Sequence, residues 1–378
     1  MFHSYFFPIS YAFMMFPVAA LIFTLPFLIV QYRRHGYIHK LRALILYLLL
    51  LYLMNAYFLV LLPMPSSRHN MAPTGSIMQL IPLQFIQDIV DGSKIIPDQI
   101  STYGSLLREP AFLQVIFNIA LTVPFGLFLG YYVRTRWGKC ILLSFLLSLS
   151  FEITQVTGIY GFFDHPYRLF DVDDLITNTL GGIFGFRIAI WINGLLPHID
   201  QLDTNIDRSA KRVSYTRRGI AFLIDSMVWI IGFGVLYGFD IKSAFWITTG
   251  IYFILVPALT GGRTLGKWIV RIRVTRSGNR ASFWALMIRY GLLYWVMLGA
   301  HVLLIHSAVT DHLSPIWNMI VHLLVLLVDL AFFIHFIIKV FKKEDQLIYE
   351  TLSRTSHVIS WPEKRMPALD SNSSSIEN

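Results

Sequence analysis

Long apolar runs alternate along the chain with short polar connections. Windows of about 20 apolar residues, the length a helix needs to cross the hydrocarbon core of a bilayer, fall at 8–31, 42–62, 112–133, 139–158, 173–195, 218–238, 243–260, 282–304 and 315–338. The pattern predicts nine transmembrane helices in an all-α, polytopic integral membrane protein. The connections differ in charge. Arg33, Arg34, Lys40 and Arg42 follow the first run, Arg134, Arg136 and Lys139 the third, and Lys211, Arg212, Arg217 and Arg218 the fifth. Arg263, Lys267, Arg271, Arg273, Arg276 and Arg280 follow the seventh, and Lys339, Lys342 and Lys343 the ninth. Every second connection is basic, so the positive-inside rule puts the N-terminus outside and the C-terminus in the cytoplasm.

Polar residues within the runs fall on helical stripes. The fourth run carries Ser144, Ser148, Glu152 and Gln155; the fifth follows Asp171 with Asp174, Asn178, Gly181, Gly182 and Gly185; the third carries Asn118, Thr122, Gly126 and Gly130. Small-residue pairs such as Gly126/Gly130 and Gly181/Gly185 let helix backbones approach closely. These three helices are therefore expected to pack on those faces. At about 1.5 Å rise per residue, Asn118, Glu152 and Asn178 each lie roughly 8–9 Å inside the outer end of their helices. The loop above them brings His165, Arg168, Asp171, Asp173 and Asp174. An outward-opening polar cup of Asn118, Glu152, Gln155, Arg168, Asp171, Asp173, Asp174 and Asn178 follows.

Structural alternatives remain open for each member. Asp171 and Asp174 suit a helix N-terminus, where a carboxylate caps free amides. Glu152 suits a protonated acid bonded to Asn118 or Asn178, and Arg168 a salt-bridge partner of Asp171 or Asp173. The spacing fits no dedicated metal motif, so no metal is expected. A second charged layer, at the inner side, consists of Arg218, Asp225, Arg289 and Asp329. Asp225, Arg289 and Asp329 lie at similar depth, and an ion pair among them competes with a proton or sodium relay.

Four domains are expected: a five-helix membrane domain over 1–195, a cytoplasmic linker over 196–216 with Asp200, Asp203 and Asp207, a four-helix membrane domain over 217–359, and a disordered tail over 360–378. The outer loop 63–111 contains Gln79-Leu-Ile-Pro-Leu-Gln-Phe-Ile, too short to span. It reads as a surface-lying or re-entrant piece, or as a lid.

Composition agrees: of 378 residues, 55% are hydrophobic, 15% aromatic and only 14% charged, too apolar for an ordinary soluble enzyme. The net charge of +9 is spread over the connections, a topology signal that argues against a nucleic-acid partner. The first run has no preceding Lys or Arg and no small-residue cleavage site, so it reads as a retained helix. The lone Cys140 excludes an intrachain disulfide and cysteine-based metal centres within one chain. No cofactor is expected. No phosphate-binding loop, nucleophile elbow or paired-histidine helix appears, and enzymatic function ranks last.

Asn118 with Pro124-Phe-Gly126, Glu152-x-x-Gln155 and Arg168-x-x-Asp171-x-Asp-Asp174-x-x-x-Asn178-x-x-Gly-Gly182, with Ile81-Pro82 upstream, resemble the motif set of the VanZ-like family over about 40–195. Arg217-Arg218 with Asp225, the segment 262–274 and Arg289 resemble the RDD family over about 213–359, although Glu350 stands where an aspartate is expected. The first resemblance implies a multi-pass protein of the bacterial cell membrane associated with resistance to teicoplanin-type lipoglycopeptides. Its partners would be the bilayer and either the antibiotic or a lipid-linked wall precursor. The alternatives are a cation or proton transporter working through the RDD-like domain, and an enzyme acting on a lipid-linked precursor. The sequence leaves the oligomeric state open.

Overall fold

The computed structural model describes residues 2–92, 100–195, 197, 199, 212–305, 314–342 and 346–361. Most of the expected linker, with Asp200, Asp203 and Asp207, and nearly all of the expected tail lie outside these residues. The chain forms two compact units, Met1–Phe23 with His39–Asn205 and Thr24–Ile38 with Ile206–Asn378. Eight described helices are long and apolar enough to span a membrane.

In the first unit these are α1 (Phe2–Arg34, which continues into the second unit), α2 (Lys40–Leu61), α4 (Pro110–Phe128, extended by a π turn), α5 (Trp137–Val156) and α6 (Val172–Ile192). The short α3 (Gln84–Gly92) lies in the connection between α2 and α4. The glycine faces meet as expected. A Cβ on Gly126 would run into the Gly182 carbonyl, one on Gly185 into that of Val123, and one on Gly181 into that of Ile119. A Cβ on Gly182 would run into the Ser144 hydroxyl of α5. Without a hydrophobic driving force in lipid, such backbone contact and interhelical hydrogen bonds do the joining. One of these bonds runs from Thr122 Oγ1 to the Asn178 carbonyl at 2.6 Å.

At one end of this unit, β1 (Met78–Gln79) pairs in parallel with β2 (Phe170–Asp171). Asn70 and His165 add a reciprocal pair of bonds, Asn70 Nδ2 to the His165 carbonyl at 2.8 Å and the His165 N–H to Asn70 Oδ1 at 2.9 Å. The described start of the connection is thus tied to the loop before α6. Its α3 has no buried residue.

In the second unit, α7 (Tyr215–Gly238) and α8 (Ala244–Thr260) form an antiparallel hairpin. Trp229 Nε1 donates to Thr249 Oγ1 at 3.1 Å across it. The seventh predicted span is this α8, a helix just below spanning length with a π turn at its centre. At about 1.5 Å per residue it reaches roughly 25 Å, near the thickness of a hydrocarbon core. The chain then passes α9 (Leu265–Ile269) and the strands β3 (Ile272–Arg276) and β4 (Asn279–Arg280). It continues through α10 (Phe283–Leu304), α11 (Pro315–Phe341), α12 (Ile348–Leu352) and β5 (Ser356–Ile359). β3 pairs antiparallel with both β4 and β5. Its Ile272, Val274 and Thr275 are buried while Arg273 and Arg276 are exposed, so the alternation that holds over 272–274 breaks at Thr275.

Arg217 ties three basic connections together at one end of this unit. It donates to the carbonyls of Val270 at 2.7 Å, Gly36 at 3.0 Å and Arg271 at 3.1 Å. The α7–α8 hairpin therefore returns to the end it left, as the charge alternation requires.

Candidate functional site

The first unit contains a cavity of about 610 Å³ between the ends of α2, α4, α5 and α6. Six of the eight residues expected in the outer cup line it: Asn118, Glu152, Gln155, Arg168, Asp174 and Asn178. The helical stripes explain this, since Ser144, Ser148, Glu152 and Gln155 are all buried on one side of α5. Leu59, Leu62, Leu113, Phe117 and Leu121 form an apolar wall. The cavity is therefore amphipathic.

Its polar groups are connected from helix to helix. Asp174 Oδ1 accepts from Asn118 Nδ2 at 2.6 Å and from Gln114 Nε2 at 3.2 Å. Glu152 Oε2 accepts the Asp171 N–H at 2.9 Å. Asn178 Nδ2 donates to Ser148 Oγ at 3.1 Å, and its buried Oδ1 has no partner among the described residues. Gln155 Nε2 donates to the Val60 carbonyl at 2.8 Å. Arg168, exposed, donates to the Leu62 carbonyl at 3.0 Å. The expected contacts of Glu152 with an amide of Asn118 or Asn178, and of Arg168 with an aspartate, give way to these partners.

Asp171 and Asp173 do not line the cavity. Asp171 caps α6 by accepting the Asp173 N–H at 2.8 Å, and burial pushes its carboxyl above the ordinary aspartate range. Asp173 reaches the other way. Its Oδ1 accepts the Leu83 N–H at 2.6 Å and its Oδ2 the Phe85 N–H at 2.9 Å, fastening the start of α3. Gln114, which the sequence reading passed over, lies one step of four before Asn118 on the same stripe.

The second unit holds a cavity of about 440 Å³ lined by all four residues of the expected inner layer, Arg218, Asp225, Arg289 and Asp329. They share the cavity but do not pair with one another. Asp225, fully buried, accepts from Thr264 Oγ1 at 2.5 Å, Tyr252 OH at 2.7 Å, Gly266 N–H at 2.7 Å and Lys267 Nζ at 3.4 Å. Glu350 takes both arginines, Arg289 Nη2 at 2.5 Å and Arg218 Nη1 at 3.1 Å. Asp329 pairs with His301 Nε2 at 2.8 Å. The expected ion pair among Asp225, Arg289 and Asp329 is thus replaced by three separate partnerships, because nearer partners reach each of them from other segments: Thr264 and Lys267 for Asp225, the acceptor Glu350 for Arg289 and His301 for Asp329. Glu350, one methylene longer than the expected aspartate, reaches both guanidinium groups.

Among the described residues no three His, Cys, Asp or Glu side chains converge as a metal site. What these helices and cavities define is a multi-pass membrane protein made of two helical units, each enclosing polar groups. Residues 46–193 match the VanZ/LLP1 family model and residues 212–352 the RDD family model, so the chain joins a VanZ/LLP1 segment to an RDD segment in tandem. No curated protein and no solved structure gives a significant match.

Proposed function

We propose that the VanZ/LLP1 segment works through the 610 Å³ cavity as a chamber opening to the cell exterior. It receives the polar end of a lipid-anchored envelope molecule, without turnover, and so modulates tolerance to teicoplanin-type lipoglycopeptides. The observation that carries this reading is the cavity's composition. An apolar wall stands beside two carboxylates, four amides and an arginine from separate elements. An amphipathic ligand satisfies both surfaces at once, and the open acceptor of Asn178 calls for a donor.

The test is growth inhibition by teicoplanin and vancomycin in a sensitive Gram-positive host expressing the wild type, Glu152→Gln or Asp329→Asn, with membrane abundance measured in parallel. Teicoplanin tolerance should rise with the wild type, persist in Asp329→Asn and disappear in Glu152→Gln at equal abundance. Equal tolerance in wild type and Glu152→Gln would remove the cavity from the function.

A second reading, cation or proton transport through the RDD segment, is favoured by the His301–Asp329 pair on the second cavity. Membrane-embedded ionisable pairs are recurrent parts of ion pathways. In proteoliposomes it requires a pH-gradient response that Asp329→Asn abolishes.

A further inference from the structure

Where the basic connections of the second unit meet, a pocket of about 250 Å³ is lined by three arginines, Arg33, Arg263 and Arg271, with Trp268, Trp361 and Ser360. The arginines arrive from three places: the last turn of α1, the turn before α9 and the turn after it. Arg33 lies 4.5 Å over the Trp268 ring and Arg271 4.5 Å over the Trp361 ring. Arg263 Nη2 donates to Ser360 Oγ at 2.6 Å, and its buried Nε has no partner among the described residues. Among the described residues no acidic side chain lines the pocket.

The pocket is built rather than incidental. Arg271 takes a positive φ of 56°, a conformation a bulky residue adopts only when its surroundings fix it. Its carbonyl is held by Arg217 Nη2 at 3.1 Å and the Ser360 N–H at 2.9 Å. Burial, and then the neighbouring Arg33, lower the Arg271 pKa, the electrostatic cost of gathering like charges there. An anion would relieve that cost. Guanidinium forks match tetrahedral oxyanions with paired N–H donors, and stacking on tryptophan fixes their planes. Arg33 ends a membrane-spanning helix, and tryptophans belong at the level of lipid headgroups.

We propose that this pocket binds a phosphate-bearing anion at the basic, cytoplasmic surface of the membrane. The phosphate belongs to a phospholipid headgroup or to a free phosphate compound, and two arms of one experiment separate these sources. In the first, the full-length protein is delipidated in mild detergent and its retention of phosphatidylglycerol and phosphatidylcholine is read by native mass spectrometry. In the second, inorganic phosphate and pyrophosphate are titrated against its thermal midpoint. The pocket variant is Arg33→Gln with Arg263→Gln; the control is Arg273→Gln with Arg276→Gln, on the exposed side of β3.

A lipid ligand predicts phosphatidylglycerol retention that falls roughly tenfold or more in the pocket variant and stays unchanged in the control, from the usual strength of arginine contacts to anionic headgroups. A free phosphate predicts stabilisation by pyrophosphate with the same variant pattern and no lipid retention. Should the pocket variant fail to fold, Ser360→Asp places a carboxylate beside Arg263 and is expected to abolish binding by itself. Equal losses in pocket variant and control, or no binding of either probe by the wild type, overturn the proposal.

Discussion

Replacing Glu350 with alanine should destabilise the second unit more than any change at its surface. The carboxylate has no solvent exposure and Arg289 has 1%. Arg289 and Arg218 approach it at 2.5 and 3.1 Å, and the Leu347 N–H donates to it at 3.0 Å. Removing one member of a buried ion pair leaves an uncompensated charge and costs about 3–5 kcal/mol. For a unit of this size that lowers the thermal midpoint by roughly 10 °C. Glu350→Asp keeps the charge but cannot span both arginines, and should cost about 1–2 kcal/mol. Combining Glu350→Ala with Arg289→Leu should recover part of the loss, since the orphaned charge goes too.

Acidity should act on the same cluster. Burial alone would raise the Glu350 pKa, but Arg289, then His357 and Arg218, outweigh it and hold the carboxyl well below its ordinary range. Burial, and next Arg289, push His357 down to about 3. It therefore stays neutral near pH 7 and lies 3.1 Å from Glu350 as a hydrogen-bond donor. Both folded-state values are depressed, so the stability they carry is complete above the unfolded values of 6.5 and 4.5. It declines as pH falls, first as His357 would protonate in the unfolded chain, then below the range of Glu350. Thermal unfolding of detergent-solubilised protein between pH 8 and about pH 4, followed by fluorescence-detected size exclusion, measures both effects. An Glu350→Ala midpoint within about 2 °C of wild type throughout would refute the assignment.

Gly126→Ala should separate α4 from α6 and abolish monodisperse protein, whereas Gly138→Ala, with open space around it, should leave elution unchanged. Asp173→Asn should weaken the tether of α3 by about 1–3 kcal/mol, seen as faster limited proteolysis within 63–109. Reporters fused at Gln79 and Ser277 should report opposite sides of the membrane; agreement between them would overturn the topology.

The architecture was legible because membrane helices advertise themselves through length, and their contacts through small and polar residues three or four apart. That local code found the glycine faces and brought Asn118, Glu152, Asp174 and Asn178 to one cavity. It could not see across the chain. Asp173 looked like a member of the cup because it sits beside Asp174, yet its partners Leu83 and Phe85 lie about 90 residues upstream. Asp225 and Arg289 line one cavity, but a shared depth does not choose partners: Lys267 and Thr264 reach Asp225 from a connection that read only as basic. The span read at 243–260 coincides with α8 to within one residue.

The two units treat buried charge in opposite ways, and this difference bears on where function resides. A carboxylate has about four acceptor sites, and Asp225 meets four donors, from Tyr252, Thr264, Gly266 and Lys267. Glu350 is likewise engaged by two arginines, a backbone N–H and a histidine. Such saturation makes these residues joints of the fold, and any ion moving through Asp225 would first have to break it. Any ion pathway through the second unit would therefore have to use the half-exposed His301–Asp329 pair instead. In the first unit, Glu152 accepts one backbone N–H among the described residues and the Asn178 oxygen none. A buried acceptor without a donor costs stability, and a donor-bearing ligand of the kind proposed would recover that energy. This contrast is the reason the proposed binding site is placed in the first unit rather than the second.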